Sequence, residues 1–224
     1  MFTAVSKVQR ISSPAYDYDS VGLPVRVASR APVNHRFLLK TKNQSLPLCF
    51  DVRGDSRLKL LHLPNSELLV SGKLNTVTEG FERIVIRFKF DKYVAITADE
   101  IIAQGLRRTR HTGQDPILLG SMTVIRRGNE INVTAEGTHL IILVHEKNSK
   151  QFLWPLLREQ PSDNNAEGIL AVKPAVYEEI QHPSSTKLKI KDQEIDVSRS
   201  SAADYTSLPP LVENCWLMSP GSAL

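Results

Sequence analysis

The run 82–90 carries the pattern that most constrains this chain. Ile84, Ile86, Phe88 and Phe90 alternate with Arg83, Val85, Arg87 and Lys89. A period of two places alternate side chains on opposite faces of a strand, one face on a core and the other in water. On this reading Phe90 is the last of four inward side chains.

The same texture recurs along the chain. Strands are predicted at 36–41, 46–52, 58–63, 68–74, 93–97, 121–126, 130–135 and 139–145, with further ones beginning at Phe152 and at 188–190 and 194–197. Turn residues separate them: Pro64-Asn65-Ser66, Arg127-Gly128-Asn129, Glu136-Gly137 and Lys191-Asp192-Gln193. The stretch from Leu140 to Val144 is apolar on both faces and reads as a central strand. Residues 160–168 read as a polar loop, and no internal repeat is visible. Many short strands at this spacing predict an antiparallel all-β sandwich. Residues 1–33, with three prolines and no periodicity, read as a linker or disordered tail. The β module is placed at 34–218 and a short tail at 219–224.

Composition excludes several classes. Hydrophobic residues make up 41% and charged residues 23%, which rules out a wholly disordered chain. No apolar run approaches the roughly 20 residues of a spanning helix, so no membrane partner is expected. The net charge of +4 is mildly basic and favours polyanions. Cys49 and Cys215 lie far apart, and neither sits in a CxxC or beside spaced histidines, so no zinc site is expected. They read either as buried free thiols of a cytosolic protein or as one long-range disulfide of a secreted one. Residues 1–7 show no secretory signal, so the chain starts in the cytosol unless Met1 is not the natural start.

Catalytic signatures are missing: no GxSxG, no GxxxxGK[ST] and no HExxH. No enzyme activity, cofactor or metal is expected. Histidines stand at 35, 62, 111, 139, 145 and 182. His139 and His145 would share one face of a strand, one near its end and the other capping the run at the surface. Asp17-Tyr18-Asp19 and Asp99-Glu100 read as solvated charge. The cluster Arg107, Arg108, Arg110 and His111, supplemented by Arg126-Arg127, makes a local positive potential. Arginine forks pair bidentately with sulfate, carboxylate or phosphate, so a sulfated or carboxylated polysaccharide is a candidate partner. A solvated loop or a cleavage site for a basic-residue protease are the alternatives. Nucleic acid is disfavoured, because aromatic residues are not interleaved with these charges. Sequons at Asn43 and Asn132 carry meaning only in a secretory protein.

Several blocks resemble a known family in order and spacing. They are Arg36-Phe37-Leu38-Leu39, Leu48-Cys49-Phe50-Asp51, Leu69-Val70-Ser71-Gly72-Lys73-Leu74, Met122-Thr123-Val124, Ile131-Asn132-Val133-Thr134 and Leu143-Val144-His145. The closing blocks are Thr186-Lys187-Leu188-Lys189-Ile190, Val197-Ser198-Arg199, Asp204-Tyr205 and, most specific, Cys215-Trp216. Together, from about Asn34 to Met218, they resemble the C-terminal region of inter-alpha-trypsin inhibitor heavy chains. The resemblance implies a β-rich module related to the von Willebrand factor D domain, pairing of Cys49 with Cys215, and secretion. It implies a setting of hyaluronan-rich matrix and plasma serine protease inhibitor complexes, with hyaluronan or another glycosaminoglycan as partner. Trp216 and Phe50 are expected to pack near the bridge.

Three departures qualify that implication. Where several members carry Asp-Pro-His-Phe, a cleavage motif whose Asp becomes ester-linked to glycosaminoglycan, this chain reads Asn34-His35-Arg36-Phe37. An amide cannot supply the participating carboxyl, so no ester transfer is expected from Asn34. The family's Gly-Leu-Leu-Gly-Gln-Phe turn is degraded to Gly168-Ile169-Leu170-Ala171-Val172-Lys173. The family's N-terminal domains do not fit into residues 1–33. The chain is therefore expected to be a fragment joined in cis to other heavy-chain domains, or a short product. An intracellular all-β interaction domain with free thiols is the alternative reading.

Overall fold

Short strands broken by turns bury their apolar faces by curling sheets over one another, and the computed structural model of this chain does so. It describes residues 33–54, 56–181, 185–190 and 192–218. The readings made for residues 1–32 and 219–224, for the pair Asp17 and Asp19, and for His182 and Lys191 lie outside these residues. All the regular structure described is β apart from two single 3-10 turns, at Pro64–Ser66 and Ile169–Ala171.

The larger sheet has two wings. One runs through β3 (Arg57–Leu63), β4 (Leu68–Leu74), β5 (Phe81–Phe88), β6 (Lys92–Ile96), β7 (Ile101–Gln104) and β8 (Arg108–His111). The other runs through β9 (Ile117–Leu119), β10 (Met122–Arg127), β11 (Glu130–Ala135), β12 (Thr138–Lys147) and β13 (Lys150–Leu157). The wings join where Phe81 pairs with Leu153. Their inward residues, among them Ile84, Ile86, Phe88, Val124, Ile131 and Ile142, share one core. Gly72 faces inward on β4, and the ring of Phe81 fills the space that a side chain there would need. The β11–β12 hairpin turns through Glu136 and Gly137, both in the left-handed region. That is the twist a two-residue hairpin turn requires, and glycine takes it without strain.

The smaller sheet has the order β1 (Asn34–Leu39), β2 (Leu48–Arg53), β17 (Leu211–Met218), β16 (Gln193–Asp204), β15 (Thr186–Ile190), β14 (Glu178–Gln181). It curls enough for Arg36 on β1 to reach Ser200 and Ser201 on β16, at 2.6 and 2.9 Å. Arg36 also holds Asp51 of β2 bidentately, at 2.7 and 2.8 Å. Cys49 and Cys215 lie inside this curl, joined by a disulfide across 166 residues and fully buried. No free cysteine remains.

Four differences from the sequence reading appear here. The sheets are not purely antiparallel, because β17 pairs with β2 in parallel. Phe90 does not extend the inward row; it is fully exposed. Lys89 takes a positive φ of 51°, and the strand ends at Phe88, two residues earlier. Strands β7, β8, β9 and β14 were not foreseen. Each is three or four residues long, too short to show a period. Trp216 and Phe50 do not pack on the bridge; the strand pleat turns them to the opposite face. Trp216 joins Leu48, Tyr177, Leu188 and Met218, whereas Ala202, Leu38 and Leu217 surround the disulfide. Gly168, at φ 107°, leads into a 3-10 turn.

The Phe88 and Phe90 positions predict opposite outcomes in chemical denaturation. Phe88→Ala removes a fully buried ring and should lower stability by about 3–5 kcal/mol. Phe90→Ala should leave it within about 0.5 kcal/mol.

Candidate functional site

Strand β8 is the outer edge of its wing, so its far side has no strand partner. It follows β7 through the three residues Gly105, Leu106 and Arg107, with Gln104 opposite Arg108 as the closing pair. Register sorts the basic cluster onto two faces. Thr109 and His111 lie opposite Ala103 and Ile101, both buried in the core. Arg108 and Arg110 lie opposite Gln104 and Ile102 and project from the outer face. Arg110 forms an ion pair with Glu100. His111 Nε2 and Thr109 Oγ1 are 2.8 Å apart. Among the described residues, no ion pair involves Arg107 or Arg108.

The four residues predicted as one cluster are therefore not one cluster. Arg108 and Arg110 share a face, Arg107 sits in the loop, and His111 turns the other way. Arg126 is committed elsewhere: it donates to the Ala98 carbonyl at 2.6 Å and ties the wings together. The sequence reading missed Arg87 and Tyr93. Arg87 lies opposite Tyr93, Tyr93 opposite Gln104, and Gln104 opposite Arg108. Only strand register reveals this row, because its members span 21 positions in sequence.

The remaining predicted positions fall separately. Asn34 opens β1 opposite Arg53 and is exposed at the lip of an open groove of about 930 Å³ lined by Phe50, Leu58 and Met218. Asn43 is exposed in the loop between β1 and β2, with φ 54°. Asn132 lies mid-strand on β11, half-buried, and its Nδ2 donates to Glu130 at 2.6 Å. Asn43 is thus the sequon an oligosaccharide could reach. His139 and His145 lie on β12, but His145 does not cap the run at the surface. It is buried, donates from Nε2 to the Tyr205 carbonyl at 2.8 Å, and stacks on Phe152.

His145 belongs to a polar seam between the two sheets. His35, fully buried on β1, accepts at Nδ1 from the Gly80 amide and donates from Nε2 to the Gly54 carbonyl, both at 3.1 Å. Only neutral imidazole makes both bonds, and a proton on Nδ1 would break one. Burial lowers the pKa of His35 and of His145. Glu79 accepts from Tyr205 and, at 2.9 Å, from Lys147. Burial opposes ionisation of Glu79, but those two hydrogen bonds outweigh it and hold its pKa below the ordinary value. Burial, then the Glu79 bond, raises Tyr205 and keeps it a neutral donor. The seam holds the sheets together. Among the described residues no group of three His, Cys, Asp or Glu side chains could hold a metal, and no helix is long and apolar enough to cross a membrane.

The seam predicts acid sensitivity. The unfolded chain binds protons at His35 and His145 near pH 6.5, and the folded chain resists them. Stability should be full above that pH and fall as pH drops below it, by about 1.4 kcal/mol per histidine for each pH unit until the folded pKa is reached. Glu79 adds loss only below about its ordinary 4.5. Urea melts between pH 7.5 and 5 should show this slope, reduced in His145→Gln; an equal slope in the variant would exclude His145.

No protein-family model matches the chain, and neither does any curated protein or any solved structure.

Proposed function

We propose that this chain is a secreted, non-enzymatic module of the inter-alpha-trypsin inhibitor heavy-chain type, related to the von Willebrand factor D domain. It serves hyaluronan-rich matrix or plasma inhibitor complexes and holds acidic polysaccharide non-covalently, with other heavy-chain domains as partners in cis where the chain is a fragment of a longer one. The observation that carries the reading is the Cys49–Cys215 disulfide, which joins β2 to β17. The resemblance places paired cysteines at these two positions, and such a bridge persists in oxidising compartments. The exposed Arg108 and Arg110 support the choice of ligand, because guanidinium forks match sulfate and carboxylate. Asn34 leaves the module without the carboxyl that ester transfer uses.

An immunoblot of native tissue fluid with an antibody to residues 186–218 tests the compartment. The expected band shifts with reductant and shows no titratable thiol on unfolding. A band of 25.0 kDa confined to cells, with two titratable thiols, would overturn the reading. The ligand is tested on a heparin column. Replacing Arg107, Arg108 and Arg110 together with alanine should lower the eluting salt and flatten its dependence on ionic strength. An unchanged elution would remove polysaccharide from the edge strand.

A further inference from the structure

The outer face of the wing β3 to β8 carries a charge pattern that packing does not explain. Its inward face is apolar apart from Thr109 and His111 on the edge strand, but the cations projecting outward are Arg57, Lys59, Lys73, Arg83, Arg87, Arg108 and Arg110. Three carboxylates answer them: Glu82 pairs with Lys73 at 2.6 Å, Glu167 with Lys59 at 2.7 Å, and Glu100 with Arg110. Among the described residues, Arg57, Arg83, Arg87 and Arg108 have no ion pair. Cations left unpaired on one sheet face create a positive potential that draws polyanions.

Within that face, one row has more than charge. Arg87, Tyr93, Gln104 and Arg108 stand on four adjacent strands in direct register. With strands about 4.8 Å apart, the row runs about 14 Å from one guanidinium strand to the other. At its β5–β6 end the turn rises beside it. Arg87, Tyr93 and Gln104 join Lys89, Phe90, Asp91 and Lys92 around a recess of about 430 Å³. Phe90 is fully exposed at that recess, the side chain that the strand alternation would have buried. Lys89 is held by Glu136 and Lys92 by Asp91, at 2.6 and 2.8 Å, which fixes the turn.

We infer that the row Arg87–Tyr93–Gln104–Arg108 and its recess form a binding site for an acidic oligosaccharide, extending the proposed polysaccharide contact from the edge strand onto the sheet face. The inference rests on the function proposed above. Each residue type has a task in such a ligand. Tyr93 and Phe90 offer aromatic faces to the C–H side of a pyranose ring. Gln104 has both donors and an acceptor for ring hydroxyls. Arg87 and Arg108 clamp sulfates or carboxylates at either end. A single-stranded nucleic acid would use similar groups, but the disulfide favours an oxidising compartment, where sulfated and carboxylated polysaccharides are the abundant polyanions.

The test is direct titration of the whole chain with a fluorescent heparin octasaccharide, and with a labelled single-stranded oligothymidylate beside it. Arg87→Ala and Tyr93→Ala should each weaken octasaccharide binding about tenfold. Tyr93→Phe should bind as the wild type does, because it keeps the ring. Arg87→Ala should also reduce the slope of log Kd against log salt by about one. Arg158→Ala serves as the control and should change nothing. Thermal melts identify any variant that has not folded, and Arg87→Gln replaces one that fails. If the triple change on 107–110 abolishes binding but Arg87→Ala and Tyr93→Ala do not weaken it, the row is not the site, and the proposed function stands without it. If the wild type binds no octasaccharide, both fall. If oligothymidylate binds more tightly and depends on Tyr93, the face is a nucleic-acid surface and the inference is overturned.

Discussion

The parallel pairing of β2 with β17 is the constraint on which the rest of the structure depends. Parallel neighbours cannot be joined by a tight turn; the chain between them must cross over. Here that crossover contains the entire larger sheet, whose strands all lie between β2 and β17 in sequence. Only three residue pairs register the two strands: Leu48 with Trp216, Cys49 with Leu217, and Phe50 with Met218. Closing a loop of 166 residues on so short a ladder costs substantial chain entropy. The Cys49–Cys215 bond sits at that ladder and removes much of this cost from folding, by about 5 kcal/mol on the loop-entropy view. Arg36 reinforces the same place by holding Asp51 of β2 and Ser200 of β16.

Once that closure is made, the two sheets must be held against each other, and aromatic packing does most of this. Phe50 stacks on Phe37, Phe37 on Trp154, and Trp154 meets Tyr205, which meets His145 and Phe152. The chain of rings passes from the smaller sheet to β12 and β13 of the larger. Polar groups in this seam are satisfied one by one: His35 by two backbone partners, His145 by a carbonyl, Glu79 by a phenol and an ammonium. A buried polar group that lost its partner would cost about 1–3 kcal/mol. The seam is therefore specific as well as adhesive, because sliding either sheet would orphan several groups at once.

How much of this was legible in the sequence depended on the length of each periodic run. Strand β4 was predicted at its observed bounds, and β11 likewise, because six or seven alternating residues and a turn at each end leave little freedom. Strands β7, β8 and β9 were illegible, since three or four residues are too few to show a period. Phe90 was misread because the alternation continues past the point where Lys89 turns the backbone, and side-chain type alone does not report a positive φ. The pairing of the cysteines followed from the resemblance and not from their spacing. The candidate site was legible only at its edge. Arg108 and Arg110 are neighbours in sequence, but Arg87 and Tyr93 join them only through register across three strands, a non-local fact.

The same pleat that writes the core also writes the outer face, and this explains how the two can differ so much in chemistry. Each inward residue of β5 fixes the direction of its neighbours, so burying Ile84, Ile86 and Phe88 forces Arg83, Val85 and Arg87 outward. Packing imposes no choice on what those outward residues are, beyond solubility. A sheet face required only to be soluble would mix lysine and glutamate and balance its charge. This one keeps arginines, places a tyrosine and a glutamine between two of them, and exposes a phenylalanine at the end of the row. Such a face is free to change without loss of fold. The core and the bridge specify the molecule; the outward register of β5 to β8 is where a ligand could be specified.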